Sequence, residues 1–246
     1  MTQPIVVFDH VDFAYSENYE RRSIFRSFQR NKEQIQNVHV TNFHSTDINL
    51  EIYPGEVIGV IGRNGSGKST FLKLCAKILF PNSGVVQVRG KISPMIELGA
   101  GFSMDFSAEE NIRMYACLMG NRLSEVNSNI ESIIKWAEIE GRETDPLRTY
   151  STGMIGRVAF STATAFNADL VLIDEVLSVG DESFRNKSED RVKKIMTSGA
   201  AILLVSHDMN TIRRFTNRIL FFKNGRLIYD GDPDTGINLY LDSINE

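Results

Sequence analysis

The chain of 246 residues holds only two cysteines, Cys75 and Cys117. Neither belongs to a C-x-x-C pair or has a histidine nearby, which excludes a disulfide framework. Both fall in helical patterns and read as buried small hydrophobes in a reducing compartment. No apolar run approaches the roughly 20 residues that a membrane-spanning helix requires. The amino terminus lacks a basic region, and Asp9 and His10 interrupt its short apolar run, so it does not read as a secretory signal. Excess positive charge is missing too: 27 Lys and Arg stand against 31 Asp and Glu, a net charge of −4 that argues against nucleic acid as a partner. Repeats and low-complexity stretches are absent. What remains is a cytosolic protein, or one held at a membrane by partners. With 42% apolar and 24% charged residues, it has the means for a sizeable core in one large α/β domain.

The stretch that carries most information is Gly62-Arg63-Asn64-Gly65-Ser66-Gly67-Lys68-Ser69-Thr70. An apolar run at 57–61 precedes it as a buried strand, and residues 71–79 follow as a helix. Strand, glycine-rich turn and helix together make a phosphate cradle of the pattern G-x-x-x-x-G-K-S. Glycines let consecutive N–H groups point inward at phosphate oxygens, and the helix start adds its dipole. Lys68 is placed to reach the outer phosphates, and the Ser69 hydroxyl to bind Mg²⁺.

Along the chain, Ile5 to Phe8 begin a strand that Val11 to Tyr15 continue. Residues 16–45 interrupt the domain. Within them Ile24, Phe25 and Phe28 recur at helical spacing among Arg21, Arg22, Arg26 and Arg30, a short basic amphipathic helix. It reads equally well as a helix packed on its own domain or as one that meets a membrane or partner. Residues 48–52 and 56–61 flank Pro54-Gly55 and are expected to form a hairpin. A turn at 81–84 and strands at 85–88 and 92–96 follow. Ser107 and Glu110 form a capping box that starts a helix reaching about residue 119. Ser124 opens a second helix with Val126, Ile130, Ile133, Ile134 and Ala137 on one face. Residues 107–165 are expected to be all-helical. Residues 170–173 and 201–205 are continuous apolar runs suited to parallel strands covered on both faces. Lys223-Asn224-Gly225 joins two further strands as a hairpin.

Three other places carry chemistry. The strand at 170–173 ends in Asp174-Glu175, where ligands bind in α/β sheets. Asp174 can complete an Mg²⁺ shell through water, and Glu175 can orient and deprotonate an attacking water. The strand at 201–205 ends in Ser206-His207-Asp208, which puts His207 at the same sheet edge, within reach of a terminal phosphate. Tyr150-Ser151-Thr152-Gly153-Met154 precedes a helix expected over 155–166, with Ser151 as an N-cap.

In this order, the motifs resemble the nucleotide-binding domain of ATP-binding cassette (ABC) transporters over nearly the whole chain. The resemblance implies a P-loop NTPase fold: an ABC-type α/β domain over 1–246 with a mixed sheet, an antiparallel β subdomain and an inserted helical subdomain. It implies ATP and Mg²⁺ as cofactors. Gly62 to Thr70 would be the Walker A loop, Asp174 would close Walker B, and Glu175 would be the catalytic base. Ser151, Thr152, Gly153 and Met154 would be the signature loop, Asp181 the D-loop aspartate and His207 the switch histidine. Tyr15 would stack on adenine. The sequence departs from the usual family pattern in three places: Thr152 and Met154 replace Gly and Gln in the signature, Val176-Leu177 replaces Pro-Thr, and Glu97 stands nearest to the usual Mg²⁺-sensing glutamine.

These departures, with E-L-G-A-G-F at 97–102 and the basic insert, resemble the branch that exports O-antigen polysaccharide, teichoic acid and capsule. The resemblance implies an ATPase subunit on the cytoplasmic face of the inner membrane. Its partners would be a second copy in a head-to-tail dimer, two copies of a separate membrane-spanning permease, and a lipid-linked polysaccharide handled through that permease, most simply O-antigen. The additional C-terminal carbohydrate-binding domain of some members is not expected. A soluble ABC ATPase that moves no substrate is the more remote alternative, since such factors usually carry two cassettes or long coiled-coil inserts.

Overall fold

The computed structural model describes residues 2–16, 40–96, 98–174 and 182–245. Its strands fall into two sheets. Strands β1 (Val6–Ser16), β2 (Val40–Ile52) and β4 (Ser83–Val88) pair antiparallel in the order β2-β1-β4. The larger sheet takes β3 (Val57–Ile61), β5 (Ile92–Met95), β6 (Leu170–Asp174), β7 (Ala201–Val205), β8 (Arg218–Lys223) and β9 (Arg226–Gly231). Its order is β5-β6-β7-β3-β8-β9, parallel throughout except for the β8–β9 hairpin. Helix α1 (Lys68–Cys75) follows β3. Helices α2 (Ala108–Leu118), α3 (Leu123–Ala137) and α4 (Thr152–Ala163) lie between β5 and β6. Helices α5 (Glu182–Met196), α6 (Met209–Phe215) and α7 (Pro233–Asn245) complete the second half. The α/β class, the mixed sheet, the antiparallel unit and the helical insert are all present.

Side-chain alternation explains why the central strands are apolar without a break. Ile58, Val60, Leu170, Leu172, Leu203 and Val205 enter one cluster, with Phe71 of α1 and the apolar face of β1 and β2. The intervening Val57, Ile61, Val171, Ile173, Ile202 and Leu204 enter a second, with Phe160, Phe184, Ile212 and Ile237. Phe71 joins the two sheets, its ring 5.1 Å from both Phe8 and Phe222. A side chain of this kind contributes about 1.5–3 kcal/mol through burial. The insert has its own core, in which Val126, Ile130, Ile133, Ile134 and Ala137 pack together as their spacing predicts. The capping box also forms: the Ser107 hydroxyl accepts the Glu110 N–H at 3.2 Å, and the Glu110 carboxylate accepts the Ser107 N–H at 2.8 Å.

Several local expectations are corrected. Pro54-Gly55 does not close a hairpin, because β2 pairs with β1 and β3 with β7 and β8. The turn instead carries the chain from one sheet to the other. Strand β2 starts at Val40, well inside the stretch expected as insert, where β1 supplies its ladder. The basic helix expected over 21–30 lies outside the described residues. Helix α3 starts one residue before Ser124, with Arg122 as its N-cap. Helix α4 starts at Thr152 rather than 155. Cys75 is buried as expected, and burial raises its thiol pKa, whereas Cys117 is exposed on the outer face of α2.

Candidate active site

The phosphate loop is held open by backbone geometry that only glycine accepts. Gly62 has φ 149°, and a Cβ there would stand 2.2 Å from the Phe222 carbonyl oxygen of β8. Gly67, at the N-cap of α1, has φ 112°. Lys68 follows, with its ammonium donating to the Gly62 and Arg63 carbonyls at 2.8 and 3.0 Å. These carbonyls hold the side chain along its own loop. Burial pushes its pKa below the ordinary lysine value, opposed by the nearby Asp174 carboxylate.

Parallel strands β3, β6 and β7 end together at this edge, where β6 presents Asp174 and β7 leads into His207. Tyr15 comes from the other sheet and donates or accepts a hydrogen bond with the Thr70 hydroxyl at 3.2 Å. Tyr15, Asn64, Gly65, Gly67, Lys68, Ser69, Thr70, Asp174 and His207, with Val205, line one cavity of about 480 Å³. Such a volume suits a ligand of nucleotide size. The expected residues converge here although 105 positions separate Ser69 from Asp174.

The Ser69 hydroxyl lies 3.4 Å from the Asp174 carboxylate. A hydroxyl and a carboxylate facing one another are hard oxygen donors, the set that suits Mg²⁺. Burial raises the Asp174 pKa above the usual carboxylate range, with the Ser69 contact and the charges of Lys68, His207 and Lys73 opposing it. The folded chain without a bound cation therefore meets a net cost when Asp174 ionises. That cost is absent below the ordinary carboxylate pKa and complete above the raised one. Asp174→Asn should raise the thermal midpoint of the nucleotide-free chain by about 2 °C at neutral pH, with the gain closing as pH falls. Unfolding scans across that range check this, and an equal or lower midpoint at every pH would contradict it.

Of the remaining assigned residues, Ser151 caps α4 by accepting the Met154 N–H at 3.2 Å. Ser151 and Thr152 are exposed. Neither they nor Gly153 and Met154 line the cavity of the phosphate loop. Arg63 and Ser66 face a separate cleft of about 360 Å³ behind the loop, beside Lys223 and Asn224. Glu97, Glu175 and Asp181 lie outside the described residues.

Sequence reading missed a brace on the loop. The Gly225 N–H of the β8–β9 turn donates to the Ser66 carbonyl at 2.9 Å, and the buried Ser45 hydroxyl of β2 donates to the Gly225 carbonyl at 2.8 Å. Asn224-Gly225 was legible as a turn, with φ 50° and 77°, but no local signal tells where a turn docks.

A model of the ABC transporter family matches residues 45–178. The chain belongs to the ABC transporter family. Among its relatives in that family are two O-antigen export system ATP-binding proteins. One, from Myxococcus xanthus, is 40% identical over 198 residues, covering 80% of this chain and 45% of the relative. The other, from Klebsiella pneumoniae, is 39% identical over 194 residues, 79% of each chain. A teichoic acids export ATP-binding protein of Shouchella clausii is 34% identical over 232 residues, covering 94% of this chain and 62% of the relative. The chain thus spans from about half to four-fifths of the length of these relatives. The fold is that of ABC ATPase domains. A solved ATP-binding subunit of an ABC transporter superposes with a TM-score of 0.75 at 20% identity, covering 98% of this chain and 100% of its own. A dimeric ATP-binding cassette, captured after hydrolysis with ADP and Pi, gives 0.68 at 23% identity over 93% of this chain and 98% of its own. Among the described residues, no helix of this ABC family member is long and apolar enough to cross a membrane.

Proposed function

We propose that the chain is the ATP-hydrolysing subunit of a transporter that exports a lipid-linked polysaccharide, most simply an O-antigen, across the inner membrane. One observation carries the catalytic part: Lys68, Ser69, Asp174 and His207 face a single cavity with Tyr15 at its side. The names of the relatives support the cargo. Within the cavity Tyr15 receives the adenine, residues 62–70 wrap the phosphates, and Lys68 leaves its two carbonyls for the outer phosphates. Ser69 and Asp174 would hold Mg²⁺, which when bound neutralises phosphate charge. Glu97 would sense that ion. Glu175 takes the proton of the attacking water, and His207 steadies the terminal phosphate.

Ser151 to Met154 act on the nucleotide of a second copy. Placing the start of α4 over the partner's terminal phosphate sets a helix N-terminus against an anion. A head-to-tail pair with two-fold symmetry does this twice, with Asp181 at the seam. The chain then works peripherally on the cytoplasmic face, against a separate permease present in two copies. The basic segment at 21–30, with Ile24, Phe25 and Phe28, meets anionic headgroups or the diphosphate-linked cargo there.

The test is reconstitution. The chain purified from membranes should carry a polytopic partner, and ATP hydrolysis in proteoliposomes should rise with lipid-linked polysaccharide but not with the free glycan. Replacing Arg21, Arg22, Arg26 and Arg30 with Gln should abolish that rise while leaving the basal rate of the isolated chain nearly unchanged. No polytopic partner, or equal stimulation by both glycans, would overturn the export reading. Loss of the basal rate in the arginine variant would place the segment in the fold instead.

A further inference from the structure

A cavity of about 920 Å³ lies at the opposite edge of the parallel sheet from the phosphate loop. It opens below the first residues of β6 and β7, between the 163–169 connection and helix α5. Helix α5 turns one cationic face toward it. Lys187, Arg191 and Lys194 recur at spacings of four and three residues and all line the cavity. Trp136 lines it too, with the Lys187 ammonium 4.7 Å and the Arg191 guanidinium 5.1 Å from its ring centroid.

Charge pairing around the cavity is uneven. Lys187 is matched by Glu138 at 2.8 Å. Asp190 is matched by Lys193 at 3.0 Å, and Asp169 accepts the Lys91 N–H at 2.7 Å. Arg191 and Lys194 make no ion pair among the described residues. Arg191 is only partly exposed, and among the described residues its one hydrogen-bond acceptor is the Thr164 carbonyl at 2.8 Å. Burial lowers its pKa with no carboxylate opposing the shift. A guanidinium carries five donors in a planar fork that matches an oxyanion, and a buried charge without a partner is costly. Arg191 and Lys194, one helical turn apart, outnumber Asp169, the one lining carboxylate without a cationic partner, so the cavity keeps a positive excess that suits an anionic group, and it has room for an organic body beside it.

We infer that this cavity is a second ligand site, distinct from the nucleotide site, in which Arg191 and Lys194 bind the phosphate of a small phosphate monoester against Trp136. Helix α5 begins directly after the segment that holds Glu175 and Asp181, so the ligand would sit on the element leading out of the hydrolysis site.

Trp136 is the single tryptophan of the chain, so its emission reports this cavity alone. Glucose 1-phosphate, inorganic phosphate and glucose should be titrated into the full chain and into Lys68→Ala, which weakens phosphate binding at the loop. The monoester should change the emission saturably and equally in both chains, and glucose should not. Saturation by inorganic phosphate at equal affinity would show that the anion alone is recognised, contrary to a site built for an ester. Arg191→Gln and, separately, the exposed Lys194→Gln should each weaken binding about tenfold or more, the usual worth of a hydrogen bond to a charged group. Lys194 makes no contact that folding needs, so its variant keeps the test valid if Arg191→Gln unfolds. Unchanged affinity in both variants, loss of the signal in Lys68→Ala, or no saturation by the monoester would overturn the site.

Discussion

Glu175→Gln should leave a chain that binds ATP normally and hydrolyses it roughly 10²–10⁴-fold more slowly, the range that general-base catalysis contributes. The amide keeps the shape of the carboxylate and removes only its capacity to take a proton. Position supports the role. Asp174, the last residue of β6, already faces the Ser69 hydroxyl in the cavity, and Glu175 follows it at the carboxyl end of a parallel strand. We propose that the two neighbouring carboxylates divide the work, Asp174 serving the cation and Glu175 the water. Because binding survives and turnover does not, the ATP-bound dimer should accumulate, visible as a shift to twice the mass on size exclusion. Single-turnover hydrolysis and nucleotide affinity measured together decide the matter. A normal rate would remove Glu175 from the mechanism, and lost affinity would make its role structural.

Two inactive chains should restore each other. Lys68→Ala removes the ammonium proposed to reach the outer phosphates, and Ser151→Arg blocks the start of α4. If each site combines the phosphate loop of one chain with the 151–154 turn of the other, the mixed dimer keeps one whole site and collects both lesions in the second. Each homodimer should be silent. An equal mixture should recover about a quarter of the normal rate if pairing is random and the sites fire independently. Ser151 is also the N-cap of α4, and losing that cap costs about 1 kcal/mol. Thermal unfolding of the variant, and a Ser151→Ala chain that loses the cap without the bulk, separate a fold defect from a blocked site. A well-formed mixed dimer with no activity would count against the head-to-tail arrangement.

Some of this protein is written in short stretches. The phosphate loop is legible because strand, glycines, lysine and helix are contiguous, and each glycine answers a local backbone demand. The capping box of α2 and the Asn224-Gly225 turn are legible for the same reason, since their hydrogen bonds or positive φ angles involve neighbours in sequence. The unbroken apolar runs at 170–173 and 201–205 announced strands covered on both faces, because burial on both sides removes the polar alternation. The order of the motifs then carried the family.

Pairing was not legible in this way. Turn chemistry at Pro54-Gly55 says that the chain reverses, not which strand the next one meets. Strand β2 went to β1 and β3 to β7 and β8 because those partners offered complementary apolar faces far away in sequence. The start of β2 at Val40 depends on the ladder that β1 supplies, since strand propensity is settled by neighbours across the sheet. The exposure of Cys117 depends on which face of α2 the insert's core covers, and Gly225 reaches Ser66 only once two sheets are stacked. The sequence by itself therefore determined the chemistry available and the local shapes that present it. Only the tertiary structure decided which surfaces meet, because close packing between residues scores of positions apart is chosen by the whole fold at once.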